Sequence, residues 1–250
     1  MRLEELVRGI AETEMLYWGD AYLKVFEANL MRLEPDEKKH FYVILDRTIF
    51  HPKSGGQPSD RGVIQGESFK IEVKKAMLTG SVIVHWGKLL EGSPNAGKVN
   101  GEIDWVWRYL LMRRHTAGHL LDHCLATVTG ERVETTDSWL GDECYVGYKG
   151  EPPSIEELKK TEEAENRLIE QGAAVKIESV PYQELIKRAP EAPNIYRLPT
   201  LKSFRIVTIE GCEPIPCGGT HLKNISEIGR FTLKNTLKTD LGFNVYYDVQ

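Results

Sequence analysis

The chain has 250 residues, 41% hydrophobic and 28% charged, with a formal net charge of −5. This ordinary globular composition excludes collagen, coiled-coil and disordered classes, and the length suits one large domain or two modest ones that need no disulfide or metal to fold. The negative net charge argues against a protein that binds nucleic acid through many phosphate contacts. No apolar run approaches the roughly 20 residues of a membrane span.

The first third of the chain is predicted to be β-rich. A short helical segment over residues 3–10 precedes a series of apolar segments separated by turn-forming residues. The predicted strands cover residues 21–33, 40–46, 68–78 and 81–88. Segment 91–101, rich in glycine and asparagine, is predicted to be a linker. We therefore predict a small barrel-like domain over residues 1–95 that carries a breaker-rich loop at residues 51–62.

Residues 96–250 are predicted to form an α+β domain. Apolar residues at helical spacing predict a helix over residues 104–128. Ser154-Ile-Glu-Glu157 fits a capping box, which predicts a second helix ending near Gln171. Strands are predicted at residues 173–180, 203–209, 230–237 and 243–249. The predicted fold class is α+β, with a mostly antiparallel sheet in this second domain.

The cysteines and the N-terminus bear on the compartment. Four cysteines are too few for a disulfide scaffold in a chain of this length. The first residues carry acidic charges and lack a continuous apolar segment, so they do not resemble a secretory signal. We expect a cytoplasmic protein whose cysteines are thiols or metal ligands.

Two short patterns predict a metal site. His115-Thr-Ala-Gly-His119 places two imidazoles on one face of a helix, and Cys217-Gly-Gly-Thr-His221 brings a thiolate and an imidazole together on a loop. Imidazole and thiolate ligands favour zinc. We predict that these four residues bind zinc and that His123, four residues after His119, is a neighbour rather than a ligand.

The ligand count leaves the role of the zinc open. Four protein ligands are typical of a structural zinc, whereas a catalytic zinc keeps a position for water or substrate. A chain of this size folds without zinc, and structural sites usually contain more thiolates, which favours catalysis. In that case one of the four ligands is displaceable. Neither motif contains an obvious general base. Asp122 lies on the same helix, but it is interpreted equally well as a surface or helix-pairing residue.

The second pattern of interest is Ser54-Gly55-Gly56-Gln57-Pro58, which lies between a strong strand and Asp60. A hairpin turn is one interpretation, because glycine and proline are common in turns. The other is a ligand-binding loop, in which two residues without Cβ let the backbone and the Gln57 amide approach a polar substrate.

Taken together, the patterns resemble the editing domain of alanyl-tRNA synthetase, and especially its free-standing AlaX trans-editing relatives of medium length. The segments that carry the resemblance occur in the family's order and span most of residues 20–235. They are Asp46–Pro58, Ile103–Trp105, Arg114–Leu121, Pro216–Leu222 and Ile228-Gly229. The chain departs from the family pattern at His51, where an aromatic residue is usual, and at Lys53 and Ser54.

The resemblance implies an enzyme of translation fidelity. The family hydrolyses, without ATP, the ester between a wrongly attached serine or glycine and alanine tRNA. The resemblance carries zinc binding over to His115, His119, Cys217 and His221, and the glycine motif over to Gly55, Gly56 and Gln57.

The remaining role assignments concern substrate contacts. Gln57 and Thr220 are predicted to act in catalysis, since their polar groups can hydrogen-bond a serine hydroxyl that alanine lacks. Gly55, Gly56, Thr116 and Arg114 are predicted to bind the substrate.

The predicted partner is the acceptor end of mischarged alanine tRNA. Basic side chains flank both zinc motifs and predict an electropositive track. They are Arg113, Arg114, Lys187, Arg188, Arg197, Lys202, Arg205, Lys223, Arg230, Lys234 and Lys238. We expect no DNA or membrane partner, and either a monomer or a homodimer.

Three other functions stay open at this stage. The editing domain of threonyl-tRNA synthetase has a similar zinc layout, so another mischarged tRNA is an alternative substrate, although Thr220 points to the alanyl branch. A non-catalytic zinc module that binds RNA would have a saturated zinc. A general zinc amidohydrolase would need no glycine loop and should tolerate replacement of Gln57.

Overall fold

The computed structural model describes residues 2–195, 198 and 203–250, which form two compact units. The first unit comprises the residues up to Ser54 together with Pro58–Tyr109. The second comprises Leu110–Gln250 together with Gly55–Gln57. The three residues at the centre of the glycine loop therefore belong to the second unit by their contacts, although their neighbours in the chain belong to the first.

The first unit is built mainly from antiparallel strands. Its elements in chain order are α1 (Leu3–Leu6), β1 (Glu14–Met15), β2 (Val25–Pro35), β3 (His40–Leu45), β4 (Arg47–Thr48), β5 (Gly62–Gln65), β6 (Phe69–Thr79), β7 (Val82–Gly92) and β8 (Lys98–Ile103). A closed barrel forms in the order β2–β3–β7–β6–β5–β8, with antiparallel pairing throughout. The predicted barrel-like domain is confirmed.

The barrel interior is filled by the alternate, inward-facing residues of its strands. Val43, Ile71, Val73 and Ile83 are at most 1% exposed and belong to one apolar cluster. Burial of each such side chain contributes about 1.5–3 kcal/mol. His51 is also buried and meets Tyr17 edge-on at 5.3 Å. The imidazole thus packs as an aromatic ring, the residue type that the resemblance implies for this position.

The observed division between the units falls after Tyr109 rather than at residue 95. Lys98–Ile103, which overlaps the end of the linker predicted at residues 91–101, is a barrel strand whose buried and exposed residues alternate. Gly101 lies against the ring of Phe26, where a Cβ would overlap the ring. The glycine is therefore there for close packing, and the linker interpretation of this segment is wrong.

The second unit combines helices with two antiparallel sheets. Its elements are α2 (Trp105–Thr129, which begins in the first unit), β9 (Thr135–Trp139), β10 (Tyr145–Lys149), α3 (Ile155–Gln171), β11 (Val175–Pro181), α4 (Tyr182–Arg188), β12 (Ser203–Ile209), β13 (Ile215–Pro216), β14 (Phe231–Thr239) and β15 (Gly242–Val249). The sheet orders are β14–β15–β10–β9 and β11–β12–β13.

The helices predicted from clear local sequence patterns are confirmed. Helices α2 and α3 match their predicted ranges, and the Ser154–Glu157 capping box is present. The predicted N-terminal helix is shorter, Leu3–Leu6, and β9, β10 and α4 were not predicted. None of the helices in the described part of the chain combines the length and apolar character that a membrane crossing requires.

Candidate metal centre

The four predicted ligands converge in the second unit. Helix α2 presents His115 and His119 one turn apart, and the loop after β13 carries Cys217 and His221. One ligand atom from each of the four lies within 4.8 Å of all the others. His123 is not part of this cluster.

The distances in the cluster fit one small tetrahedral ion. Cys217 Sγ lies 3.2 Å from His115 Nε2 and 3.3 Å from His221 Nε2. The ring centroid of His119 lies 5.0 Å from those of the other two histidines. A tetrahedral zinc, with bonds of about 2.0–2.3 Å, separates its ligand atoms by about 3.5 Å.

A buried atom without a partner supports the same interpretation. Within the described residues, His119 Nε2 is buried and has no hydrogen-bond partner. Such a group costs free energy unless something satisfies it. The soft donor set of three imidazoles and one thiolate suits zinc, so the residues present fit that ion.

The pKa values follow from crowding of these groups. Burial raises the pKa of the Cys217 thiol, but the neighbouring imidazoles of His115 and His221 more than offset this and hold it well below its usual range. Burial lowers the pKa of His221 to about 3. For His119, burial is outweighed by Asp122 and Cys217, which raise its pKa to about 9. Cys217 is thus a ready thiolate ligand, and a metal would displace the proton on His119.

Gln57 connects the glycine loop to this cluster. Its Oε1 accepts hydrogen bonds from His115 Nδ1 at 2.9 Å and from the Thr220 backbone N–H at 3.0 Å. Its Nε2 donates to Thr220 Oγ1 at 2.9 Å. The contact fixes the His115 tautomer with its proton on Nδ1 and its Nε2 lone pair toward Cys217.

The two loop glycines meet different needs. Gly56 has φ +83° and lies against strand β9, so a Cβ at this position would overlap Ser138. The Leu140 N–H donates to Gly56 O at 3.0 Å, and Ser138 Oγ donates to Gly55 O at 3.4 Å. Gly55 has φ +53° and open space around its Cα. The loop is therefore held against the end of β9, and Gly55 is required for its backbone conformation.

The two glycines of the second motif offer a matched test. A Cβ on Gly219 would overlap the His115 ring and approach Gln57 Oε1 to 2.8 Å, whereas a Cβ on Gly218 would meet nothing within 4 Å. We expect Gly219→Ala to weaken zinc binding by about 10–100-fold, as displacement of a ligand's supporting contacts does. Gly218→Ala should bind zinc as the wild type does. Equal affinity of the two variants in a competitive chelator titration would contradict this account.

Two predicted substrate residues have internal roles in the structure. Thr116 Oγ1 donates to Met112 O at 2.8 Å and accepts from Leu222 N at 3.1 Å, so it joins α2 to the second motif. Arg114 is 7% exposed, pairs with Asp248 at 2.9 Å and donates to the carbonyl of Gly141. Substrate contact by either residue stays a prediction that this geometry does not favour.

Two residues named in the sequence analysis have supporting roles that it did not predict. Arg205 is 5% exposed and donates to the carbonyls of Gly218 and Gly219 at 3.0 and 2.8 Å, so it shapes the ligand loop. Its signal was an arginine within the apolar run of β12. Asp122 is also buried: it accepts from Tyr148 Oη at 2.7 Å and lies 3.8 Å from His119 Nδ1.

Several side chains of the predicted basic track are engaged in contacts within the protein. Arg113 donates to the carbonyl of Ile228, Arg188 pairs with Glu178, and Lys238 pairs with Glu151. Arg197 and Lys202 lie outside the described residues. The two ion pairs make the track less positive than the residue count predicts, whereas Arg113 keeps its charge.

Comparisons with known proteins agree with this arrangement. Residues 4–107 match the family described as tRNA synthetases class II (A), and residues 204–240 match the second additional domain of threonyl and alanyl tRNA synthetases. The chain is 36% identical over 230 residues to alanyl-tRNA editing protein AlaX-M of Methanosarcina barkeri, covering 86% of this chain and 90% of that protein.

Longer relatives match over part of their length. Identity to alanyl-tRNA editing protein AlaX-L of Pyrococcus horikoshii is 34% over 221 residues, covering 86% of this chain and 52% of that protein. Identity to the alanine–tRNA ligase of Ignicoccus hospitalis is 35% over 247 residues, 95% of this chain. The chain spans 26% of the length of that ligase.

Fold and site define a mixed α and β protein with a closed barrel in one unit and a three-histidine, one-cysteine candidate metal centre in the other. Because it is 36% identical to an AlaX-M protein over 90% of that protein's length, the chain belongs to the AlaX family of alanyl-tRNA editing proteins. The resemblance that the motifs predict is confirmed.

Proposed function

We propose that this protein hydrolyses the ester that joins a wrongly attached serine or glycine to alanine tRNA, releasing the amino acid and the tRNA without ATP. The observation that carries the proposal is the 2.9 Å hydrogen bond between Gln57 and His115, because it unites the glycine loop and the metal ligands in one site. The names of the relatives support the substrate class. An enzyme that acts on charged tRNA would work in the cytoplasm.

The four ligands, His115, His119, Cys217 and His221, would hold zinc. When bound, zinc supplies Lewis acidity toward an ester carbonyl or lowers the pKa of water. Gln57 orients the His115 ring through its Oε1 and holds Thr220 through its Nε2. Gly55 and Gly56 would let the loop backbone approach the amino acid, since neither carries a side chain.

Discrimination against alanine follows from one hydroxyl group. Thr220 Oγ1 accepts the Gln57 amide hydrogen, so its own hydrogen is left for a serine hydroxyl, which would have to enter the site because the Thr220 side chain is buried. A site built to bond that hydroxyl rejects an analogue without it, because the polar groups of the site are then unpaired. We propose Thr220 as the residue that recognises serine. Glycine would be selected by a different feature, exclusion of the alanine methyl group.

Gln57→Ala tests the link between loop and ligands. We expect zinc affinity and serine deacylation to fall together by about 10–100-fold, because His115 loses the acceptor that fixes its tautomer. Chelator competition and deacylation rates measure the two effects. Unchanged zinc affinity with lost activity would show instead that Gln57 contacts the substrate. Because Gln57 supports a metal ligand, its replacement does not distinguish editing from general amidohydrolase chemistry.

The decisive experiment compares alanine tRNA charged with serine, glycine or alanine. We expect the protein to remove serine and glycine while alanine stays attached. Removal of threonine from threonine tRNA alone would assign the other branch of the family. Release of none of these, with zinc and RNA both bound, would establish a non-catalytic zinc module. Sedimentation of the same sample with its tRNA would decide between monomer and homodimer.

A further inference from the structure

An aromatic row crosses the four-stranded sheet of the second unit. Tyr145 on β10 lies directly opposite Trp139 on β9 and directly opposite Tyr246 on β15. Residues opposite each other in an antiparallel sheet project from the same face, so the three side chains form a continuous row. The rings of Tyr145 and Tyr246 are in contact, with centroids 5.2 Å apart.

The row lies on the face opposite to the core. The other face of the same strands carries Val146, Tyr148, Val245 and Tyr247, all at most 5% exposed. The three residues of the row are only half-buried. Antiparallel sheets with one wet face usually carry polar residues there. Three adjacent aromatic side chains on that face are therefore a feature that packing of the core does not require.

Polar groups converge beside the row. The next residue of β10 on this face, Gly147, has no side chain, and Asn244 Oδ1 lies 2.9 Å from the position that its Cβ would take. The Thr136 hydroxyl and a carboxylate oxygen of Asp137 lie closer still. The other oxygen of Asp137 accepts from Tyr145 Oη at 2.8 Å. Aromatic surface with adjoining donors and acceptors is what recognises an unpaired base.

The row and the candidate metal centre lie on opposite faces of the sheet, because α2 packs against Val146, Tyr148 and Tyr247. They come closest at strand β9, the edge of the sheet. Trp139 lies between Ser138 and Leu140, which hydrogen-bond to Gly55 and Gly56 of the glycine loop. The next residue of that loop is Gln57, which holds His115. An RNA strand whose terminal ester lies at the metal ligands would therefore reach Trp139, the end of the row, by passing over the β9 edge.

We propose that the aromatic row stacks unpaired bases at the 3′ end of the tRNA whose terminal ester the metal centre hydrolyses. The proposal rests on the proposed function. Single-stranded RNA is the occupant because its bases offer flat faces to tyrosine and tryptophan without regard to sequence, whereas paired bases are already stacked. The serine or glycine is too small to reach beyond the metal centre.

The first test measures binding of a fluorescent, uncharged RNA hexanucleotide that ends in CCA. We expect Tyr145→Leu and Tyr246→Leu to bind at least about fivefold more weakly than the wild type, the lower limit of a lost stacking contact. Tyr145→Phe and Tyr246→Phe should retain binding, because they keep the ring. Tyr182→Leu, which removes a tyrosine that is 52% exposed on α4, is the matched control and should not change it. Equal binding by the leucine and phenylalanine variants would overturn the proposal.

The second test separates this proposal from the function on which it rests. The same variants are assayed on serine-charged alanine tRNA and on a serine methyl ester, which has no bases. We expect the leucine variants to raise KM for the charged tRNA and to hydrolyse the methyl ester at the wild-type rate. Equal losses on both esters would overturn the stacking role. If the wild type binds the hexanucleotide through its tyrosines but hydrolyses neither ester, the proposed function fails and the stacking surface stands.

Discussion

The Cys217→Ser variant should lose its zinc and its deacylase activity together. Cys217 Sγ contacts two of the three histidines of the cluster at 3.2 and 3.3 Å, and it is the cluster's thiolate. A serine hydroxyl is a poor zinc ligand at neutral pH. Loss of residues that merely support a ligand costs about 10–100-fold in metal affinity, so loss of this ligand should cost more than about 100-fold.

A second cysteine provides the control for this change. Cys212 is half-buried and lies five residues earlier, outside the ligand cluster. Cys212→Ser should keep both zinc and activity, as measured by elemental analysis and by release of serine from alanine tRNA. Retention of activity in Cys217→Ser without zinc would contradict a metal-dependent mechanism. Loss of activity with zinc retained would assign Cys217 a role other than metal binding.

The largest loss of stability should come from Arg108→Met in the first unit. The guanidinium is 0% exposed and pairs with the 1% exposed carboxylate of Asp60. It also donates to the carbonyls of Ala21 and Ile49 at 2.8 and 2.6 Å. Methionine fills much of the space but leaves the Asp60 charge buried and unpaired. Removal of one partner from such a pair costs about 3–5 kcal/mol of the free energy of unfolding.

A neighbouring ion pair gives the contrasting result. Arg61 and Asp104 also pair, at 2.8 Å, but their side chains are 55% and 34% exposed. Arg61→Met should cost no more than about 1 kcal/mol, because water screens an exposed pair. Urea unfolding followed by tryptophan fluorescence compares the two variants. The double variant Arg108→Met, Asp60→Leu should recover part of the stability lost in Arg108→Met, because it removes the unpaired charge. If Arg108→Met loses no more stability than Arg61→Met, the explanation is refuted.

The candidate site was accessible from the sequence because each of its halves is local. His115 and His119 are one helical turn apart, and Cys217 and His221 share a five-residue loop. Ligand chemistry then required only that the two halves meet, which the cluster within 4.8 Å confirms. The same locality made α3 predictable, since its capping box is a pattern of neighbouring residues.

Residues whose partners are distant in sequence were predicted less well. Thr116 and Arg114 adjoin His115, which suggested substrate contacts, but Leu222 and Asp248 engage them. Strand β8 looked like a linker because glycine and asparagine dominate its surroundings, whereas the packing of Gly101 against Phe26 depends on pairing with β2. The composition of a segment shows neither which distant residue a side chain will contact nor which face of a strand it will occupy.

Local spacing was sufficient to predict the candidate metal-binding cluster, the principal helices and the β-rich character of the first unit, since each of these follows from a pattern over a few residues. Tertiary structure alone decided that Gln57 holds His115, 58 positions away. It also decided that Trp139, Tyr145 and Tyr246 share one face of a sheet. Such relations depend on strand register and chain reversal, which join residues that no local periodicity connects.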